Sequence, residues 1–139
     1  MNKFKLDIEY NYEFVLMGIC CQEKDYRLCW AINNQLGFEF KKSQDFEIKE
    51  KRKKEPTIYS LYVYEEEEKY RDFFLIANKS EQRFLIPEYK ETDYFIMIKG
   101  NIDPIEKEII AKKLWELDMI LAIFDIDPHQ LKSKQNLLF

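Results

Sequence analysis

Five largely apolar runs of eight residues, each containing β-branched and aromatic side chains, most constrain what this chain can fold into. Runs of this length and composition are typical of buried strands, although a short buried helix would have the same signature at 14–21. The second and third runs are separated by only five polar residues, at 65–69, which favours an antiparallel hairpin. We therefore expect a mainly antiparallel sheet built from the segments 14–21, 57–64, 70–77, 93–100 and 119–126.

The segment 25–37 carries the signals of an amphipathic helix. Asp25 can cap the first turn, and Gly37 can supply the left-handed residue that ends the last turn. Apolar side chains recur between them at helical spacing, namely Leu28, Cys29, Ile32 and Leu36. The pattern predicts one helix directly after the first strand.

A second helix is predicted to begin after Asp103, which can cap it. Pro104 fits the first helical position, and Glu106 completes an arrangement like a capping box, with Asp in place of Ser or Thr. The apolar stripe expected to face the core consists of Ile105, Ile109, Ile110, Leu114 and Leu117.

The order of these elements is typical of an α+β protein, a mainly antiparallel β-sheet with two α-helices packed on one face. The stretch 37–51 alternates as a strand with a break near Ser43 to Asp45, and 83–86 adds a short strand. A chain of 139 residues fits a single domain, 1–139.

Charge and N-terminal sequence narrow the functional classes. The net charge of −4 opposes electrostatic capture of nucleic acid by the surface as a whole. Lys3, Lys5, Asp7 and Glu9 lie where a secretory signal would need an apolar core. No run approaches the roughly 18 apolar residues of a membrane helix. We expect a soluble cytoplasmic protein without a membrane partner.

The inventory of reactive side chains is small. His129 is the only histidine and belongs to no recognised catalytic motif. Cys20, Cys21 and Cys29 lack the spacing of a zinc site, so reduced and buried thiols are their expected state. We expect neither enzymatic activity nor a cofactor or metal.

A basic segment leaves nucleic-acid binding open as the alternative function. Five of the seven residues 49–55 are basic, and the neighbouring strand carries tyrosines. Aromatic rings beside a basic rim can hold single-stranded RNA on a sheet, although a charged loop that protects sheet edges explains the same residues. The candidate contacts are Lys51, Arg52, Lys53, Lys54, Tyr62 and Tyr64.

Arg27 and Trp30 lie on neighbouring turns of the first predicted helix. A guanidinium and an indole placed in this way often anchor a protein partner. The interpretation that we prefer is structural: Trp30 closes the core, and Arg27 pairs with a carboxylate such as Asp93.

The stretch "LIPEYKETDYF" at 85–95 interrupts two strand-like segments. Pro87 has no N–H to donate and restricts Ile86 to extended geometry, so the strand should end there. The stretch resembles the motif that names the IPExxVDY family of small bacterial proteins, with Thr92 in the position of Val and three residues between it and Glu88. The segments 18–37, 76–80 and 126–139 are also similar to that family, in the same order. The resemblance implies no known activity, ligand or catalytic residue.

Pro87, Glu88, Asp93 and Tyr94 are the residues of this motif that we expect to contact a partner, together with the C-terminal segment 136–139. Binding residues concentrate on such connections. The alternative is that Glu88 and Asp93 accept hydrogen bonds from backbone N–H groups while Tyr94 packs. We expect a non-enzymatic adaptor module that binds an unidentified protein partner.

Overall fold

The computed structural model describes residues 13–49 and 52–137. The expectations for Lys3, Lys5, Asp7 and Glu9, for Lys51, and for the last two residues of 136–139 lie outside the described residues.

The described residues form two α-helices and ten strands, several of them short. The helices are α1 (Asp25–Leu36) and α2 (Pro104–Trp115). The strands are β1 (Val15–Cys20), β2 (Lys41–Lys42), β3 (Phe46–Ile48), β4 (Thr57–Tyr59), β5 (Leu61–Glu66), β6 (Arg71–Ala77), β7 (Lys79–Ser80), β8 (Arg83–Phe84), β9 (Tyr94–Gly100) and β10 (Ala122–Ile126).

Six strands make the main sheet, in the order β10-β1-β9-β6-β5-β2. Every neighbouring pair is antiparallel. The predicted hairpin is formed by β5 and β6, with Glu66 opposite Arg71 and a 3₁₀ turn over Glu67–Lys69. The α+β fold with a mainly antiparallel sheet is thus confirmed.

Two of the predicted strands are divided between sheets. The run 57–64 breaks at Ser60 into β4 and β5, and only β5 belongs to the main sheet. The predicted break near Ser43 to Asp45 likewise separates β2, on the main sheet, from β3, which pairs with β4. Residues 83–86 contribute only the short β8, which pairs with β7.

Both faces of the main sheet are covered. One face packs against the two helices, with contributions from Leu28 and Ile32 of α1, Ile110 and Leu114 of α2, and Phe73, Leu75 and Ile96 of the sheet. The opposite face packs against the segment after β8 and the C-terminal segment, through Leu16, Ile76, Phe95, Met97, Leu85, Ile86, Leu131 and Leu137. Because β9 lies in the middle of this sheet, its residues Tyr94 to Ile98 are buried on both sides.

The helix boundaries follow the sequence signals closely. Gly37 ends α1 with a φ of 69°, and Asp103 caps α2 by accepting a hydrogen bond of 2.8 Å from the Glu106 N–H. Both predictions are confirmed. The cap predicted at Asp25 is wrong by one position, since Lys24 is the N-cap of α1 and Asp25 is its first helical residue.

The stripe predicted for α2 is wrong at its start. Ile110 and Leu114 are buried, whereas Ile105 and Ile109 are exposed large hydrophobic residues. The reason is that Glu106 turns instead toward the sheet, where it forms an ion pair with the buried Arg71. Ile105 and Ile109, one turn apart, thereby face solvent.

Candidate functional site

The motif at 85–94 forms a turn between β8 and β9. Leu85 and Ile86 are fully buried, Ile86 is extended, and Pro87 opens a 3₁₀ turn over Pro87–Tyr89. The strand ends earlier than predicted, at Phe84, and Pro87 begins the turn, which its missing N–H and fixed φ favour.

Asn78 is the centre of the turn, although the sequence analysis did not single it out. The side chain is 0% exposed. Its Nδ2 donates to the carbonyl oxygens of Tyr89 and Thr92, each at 2.8 Å, and its Oδ1 accepts from the Ile86 N–H at 2.8 Å. The Asn78 backbone N–H also donates to the Asp93 carbonyl, and the Asn78 carbonyl accepts from the Leu85 N–H. One buried amide thus satisfies three backbone groups of the motif.

Glu88 connects the turn to the C-terminal segment. Its two carboxylate oxygens accept hydrogen bonds from the Ser133 N–H at 2.9 Å and the Ser133 hydroxyl at 2.8 Å. Partial burial opposes ionisation, but these hydrogen bonds outweigh it and lower the pKa of Glu88. Nearby, Asn136 donates to the Leu85 carbonyl at 2.7 Å. The motif therefore fastens the segment 128–137 over one face of the sheet.

Asp93 and Tyr94 connect the turn to the junction between β1 and α1. Asp93 Oδ2 accepts from the Cys21 N–H at 2.7 Å, and the Tyr94 hydroxyl donates to the Glu23 carbonyl at 2.7 Å. Burial raises the pKa of Tyr94 well above its ordinary value, so the hydroxyl stays a donor. The two residues hold the chain immediately before α1 begins.

The ion pair suggested between Arg27 and Asp93 is not formed. Arg27 pairs with Glu23 at 3.0 Å along the surface of α1, and Asp93 pairs with Lys79 at 2.8 Å. The two side chains are differently placed. Arg27 is on the exposed side of the helix, whereas the half-buried Asp93 bonds the backbone of Cys21, just after β1.

Of the four motif residues predicted to contact a partner, Pro87 and Glu88 are exposed, Asp93 is half-buried and Tyr94 is buried. Their hydrogen bonds agree with the structural alternative. Asp93 and Glu88 accept hydrogen bonds from backbone N–H groups, and the Tyr94 side chain packs in the core. Contact between this turn and a protein partner stays a prediction, and such a contact would depend on the exposed residues Pro87 and Glu88.

A cavity of about 430 Å³ borders the same turn. Its lining includes Cys20, Thr92 and Phe124. The Cys20 thiol donates to the Glu91 carbonyl at 3.4 Å, and burial raises its pKa, with Asp93 adding to the effect. The thiol is therefore protonated at neutral pH and is a poor nucleophile.

The outward side of α1 carries large aromatic side chains. Trp30 is 69% exposed and Tyr26 is 59% exposed, four residues apart and therefore neighbours along the helix. The expectation that Trp30 closes the core is wrong, because Leu28, Cys29 and Ile32 already occupy the inward side. We call the exposed residues Tyr26, Arg27, Trp30 and Asn34 the α1 outer face.

The two tyrosines of the nucleic-acid alternative lie against the helix-side core. Tyr62 is buried, and burial, with Asp25 adding to it, raises its pKa to about 12. The Tyr64 ring stacks on Phe73 at 5.4 Å between centroids, and its hydroxyl donates to Glu66 at 3.3 Å. Neither ring is presented on an open sheet surface for base stacking.

The described basic residues of that alternative lie on a loop. Arg52 and Lys54 are exposed and Lys53 is half-buried, while Lys51 lies outside the described residues. Because the tyrosines are packed, an RNA contact here would depend on the basic side chains alone.

A buried charge cluster was also missed by the sequence analysis. Arg71 alternates with Phe73 and Leu75 on the helix-facing side of β6, so its guanidinium is buried. It donates to Glu66 and Glu106, and these carboxylates raise its pKa against the opposing effect of burial. The sequence did contain a signal for this position. Side chains of a strand alternate between its two faces, so Arg71 lies on the same face as Phe73.

Within residues 13–49 and 52–137, no three His, Cys, Asp or Glu side chains come together to hold a metal ion. Neither α1 nor α2, the helices of that part of the chain, has the length and hydrophobicity needed to cross a bilayer.

Comparison of the chain with family models, curated proteins and solved structures found no match. The resemblance to the IPExxVDY family stays a prediction.

Proposed function

We propose that the protein is a non-enzymatic adaptor that binds a partner protein through the α1 outer face. The observation that carries the proposal is the exposure of Trp30, 69% of whose surface meets solvent. An indole in this position contributes little to the core, which Leu28 and Ile32 fill from the same helix.

The composition of this face is that of an interaction hot spot. Tryptophan, tyrosine and arginine are the residues most enriched among those that dominate binding energy. Tyr26, Arg27 and Trp30 lie within about one and a half turns of α1, so one shallow apolar pocket on a partner could cover both rings. Arg27, paired at the rim with Glu23, would remain accessible to a partner carboxylate.

The motif at 85–94 supports this function indirectly. Asp93 and Tyr94 bond the backbone of Cys21 and Glu23, immediately before α1. Their hydrogen bonds hold the start of the helix against β9, which fixes the direction in which the outer face points. A rigid helix loses less conformational entropy on binding than a mobile one does.

A cytoplasmic location is part of the proposal. Cys20, Cys21 and Cys29 are free thiols, and burial raises the pKa of all three, that of Cys29 to about 11. Protonated thiols, of which Cys21 and Cys29 are buried, are compatible with the reducing compartment that the sequence suggested.

The test is purification of the tagged full chain from its native cells, with and without nuclease, followed by identification of co-eluting proteins. We expect a specific protein that survives nuclease and is lost with Trp30→Ala and with Tyr26→Ala. The control is Ile105→Ala, which truncates a comparably exposed apolar side chain on α2 and should retain the partner.

Retention of every partner by folded Trp30→Ala would contradict the proposal. Partners that appear only when nucleic acid is intact would instead favour the basic loop. Neutralising Arg52 and Lys54 should then abolish their retention, and added salt should weaken it steeply.

A further inference from the structure

The two edges of the six-stranded sheet differ in how they meet solvent. At one edge, β2 has only two residues, both exposed lysines, which is a common protection against strand pairing. At the other edge, β10 has five residues and a single charge, Asp125. Among residues 13–49 and 52–137, β1 is the one strand that pairs with β10.

One row of α2 side chains follows this open edge. Lys107 Nζ pairs with Asp125 Oδ2 at 3.2 Å, which fixes that side of the helix beside β10. Ala111 and Trp115 lie four and eight residues further on and therefore continue the same row. Ala111 is half-buried, whereas Trp115 is 55% exposed.

The row and the strand run in opposite directions. The chain reverses between the end of α2 and the start of β10, so Trp115 lies toward the first residues of the strand and Lys107 toward its last. Leu121, which directly precedes β10, is 58% exposed. The open edge therefore has an apolar aromatic end and a charged end.

We propose that a second copy of this chain pairs with β10 along its open edge, in an antiparallel arrangement with two-fold symmetry. The two main sheets would then form one continuous sheet across the dimer. Pairing over the full length of β10 centres on Phe124 and sets Ile123 opposite Asp125 of the second copy, so no like charges meet.

The occupant is a second copy because the edge is complementary to itself. Two-fold symmetry reverses the row of α2, which brings Trp115 of one copy beside Lys107 of the other. An ammonium group over an indole face is a favourable contact, and symmetry provides it twice. The same pairing covers Trp115 and Leu121, whose exposure the fold of one copy does not explain.

The test is sedimentation equilibrium of the purified full chain over a range of concentrations. We expect a mass of twice the 17.1 kDa of one chain at high concentration. Trp115→Ala and Leu121→Asp should each raise the dissociation constant by at least about tenfold, because each removes an apolar side chain that the pairing buries. The matched control is Ile58→Ala, which truncates an exposed apolar side chain on β4 and should leave the dissociation constant unchanged.

A single-copy mass at every concentration would overturn the proposal, as would equal dissociation constants for Trp115→Ala and the wild type. Circular dichroism establishes whether each variant is folded. If Leu121→Asp is not folded, Trp115→Ala alone decides the result. The contact with Lys107 is tested by combining Lys107→Met with Trp115→Ala. We expect less than additive effects on dissociation, and strictly additive effects would overturn the pairing.

Discussion

The turn at 85–94 and the α1 outer face differ in the polarity of their side chains and in whether those side chains face the interior or the solvent. The turn is rich in polar residues, yet several of them face inward and bond the backbone, with the buried Asn78 at the centre. The outer face carries two of the largest apolar side chains in the protein, and both face solvent. Polar residues at the turn stabilise the fold, whereas the aromatic residues of α1 are exposed to solvent.

The largest effect that tests this contrast is expected from Asn78→Ala. The substitution leaves the Ile86 N–H and the Thr92 carbonyl without a partner in a buried site, and it removes one of the two hydrogen bonds that the Tyr89 carbonyl accepts. We expect the free energy of unfolding to fall by on the order of 4 kcal/mol, measured by urea denaturation. Asn34→Ala, on the α1 outer face, is the matched control and should change stability by about 0.5 kcal/mol or less. Equal losses for the two variants would contradict the role given to the turn.

A second contrast lies within α1 itself. Leu28 is fully buried, so Leu28→Ala should cost on the order of 3 kcal/mol of unfolding free energy. Trp30→Ala removes a larger side chain but should cost under about 1 kcal/mol, because most of that side chain is already in water. Urea denaturation of the two variants measures both values, and a larger loss for Trp30→Ala would show that the indole packs in the core.

The smallest effect is expected from Glu88, and it depends on pH. Because hydrogen bonds lower the pKa of Glu88 in the folded protein, its ionised form stabilises the fold. That contribution is present above the ordinary glutamate pKa of about 4.3 and is lost as the pH falls through the lowered value. The stability difference between wild type and Glu88→Gln should therefore be largest near neutral pH and shrink in acid.

The measurement is the urea midpoint of both proteins at several pH values. Glu91→Gln, in the same turn, is an exposed control that should show no such difference. A difference that grows in acid would mean that Ser133 does not stabilise the ionised carboxylate of Glu88.

Local signals in the sequence predicted the fold class, the β5–β6 hairpin, the stop at Gly37 and the cap at Asp103. Each of these depends on residues adjacent in sequence or on a regular period. The break at Ser60 was not predictable in this way, because an uninterrupted strand-like run does not show where a chain leaves one sheet for another.

The roles of Trp30 and Asn78 required different information. The spacing of Leu28 and Ile32 already places Trp30 off the inward side of α1, so the sequence contained the signal against a core position. Asn78 gave no comparable signal. Its partners Ile86, Tyr89 and Thr92 are brought to it by the fold of the turn, and a single polar residue after a strand does not identify them.

The most direct test of the central claim is acrylamide quenching of Trp30 fluorescence. The chain has two tryptophans, so Trp115→Phe leaves Trp30 as the sole indole. We expect a quenching constant in the folded variant close to that of the same variant unfolded in urea, because the ring already meets solvent. A constant several-fold lower in the folded variant would place Trp30 in the core and contradict the proposed binding face.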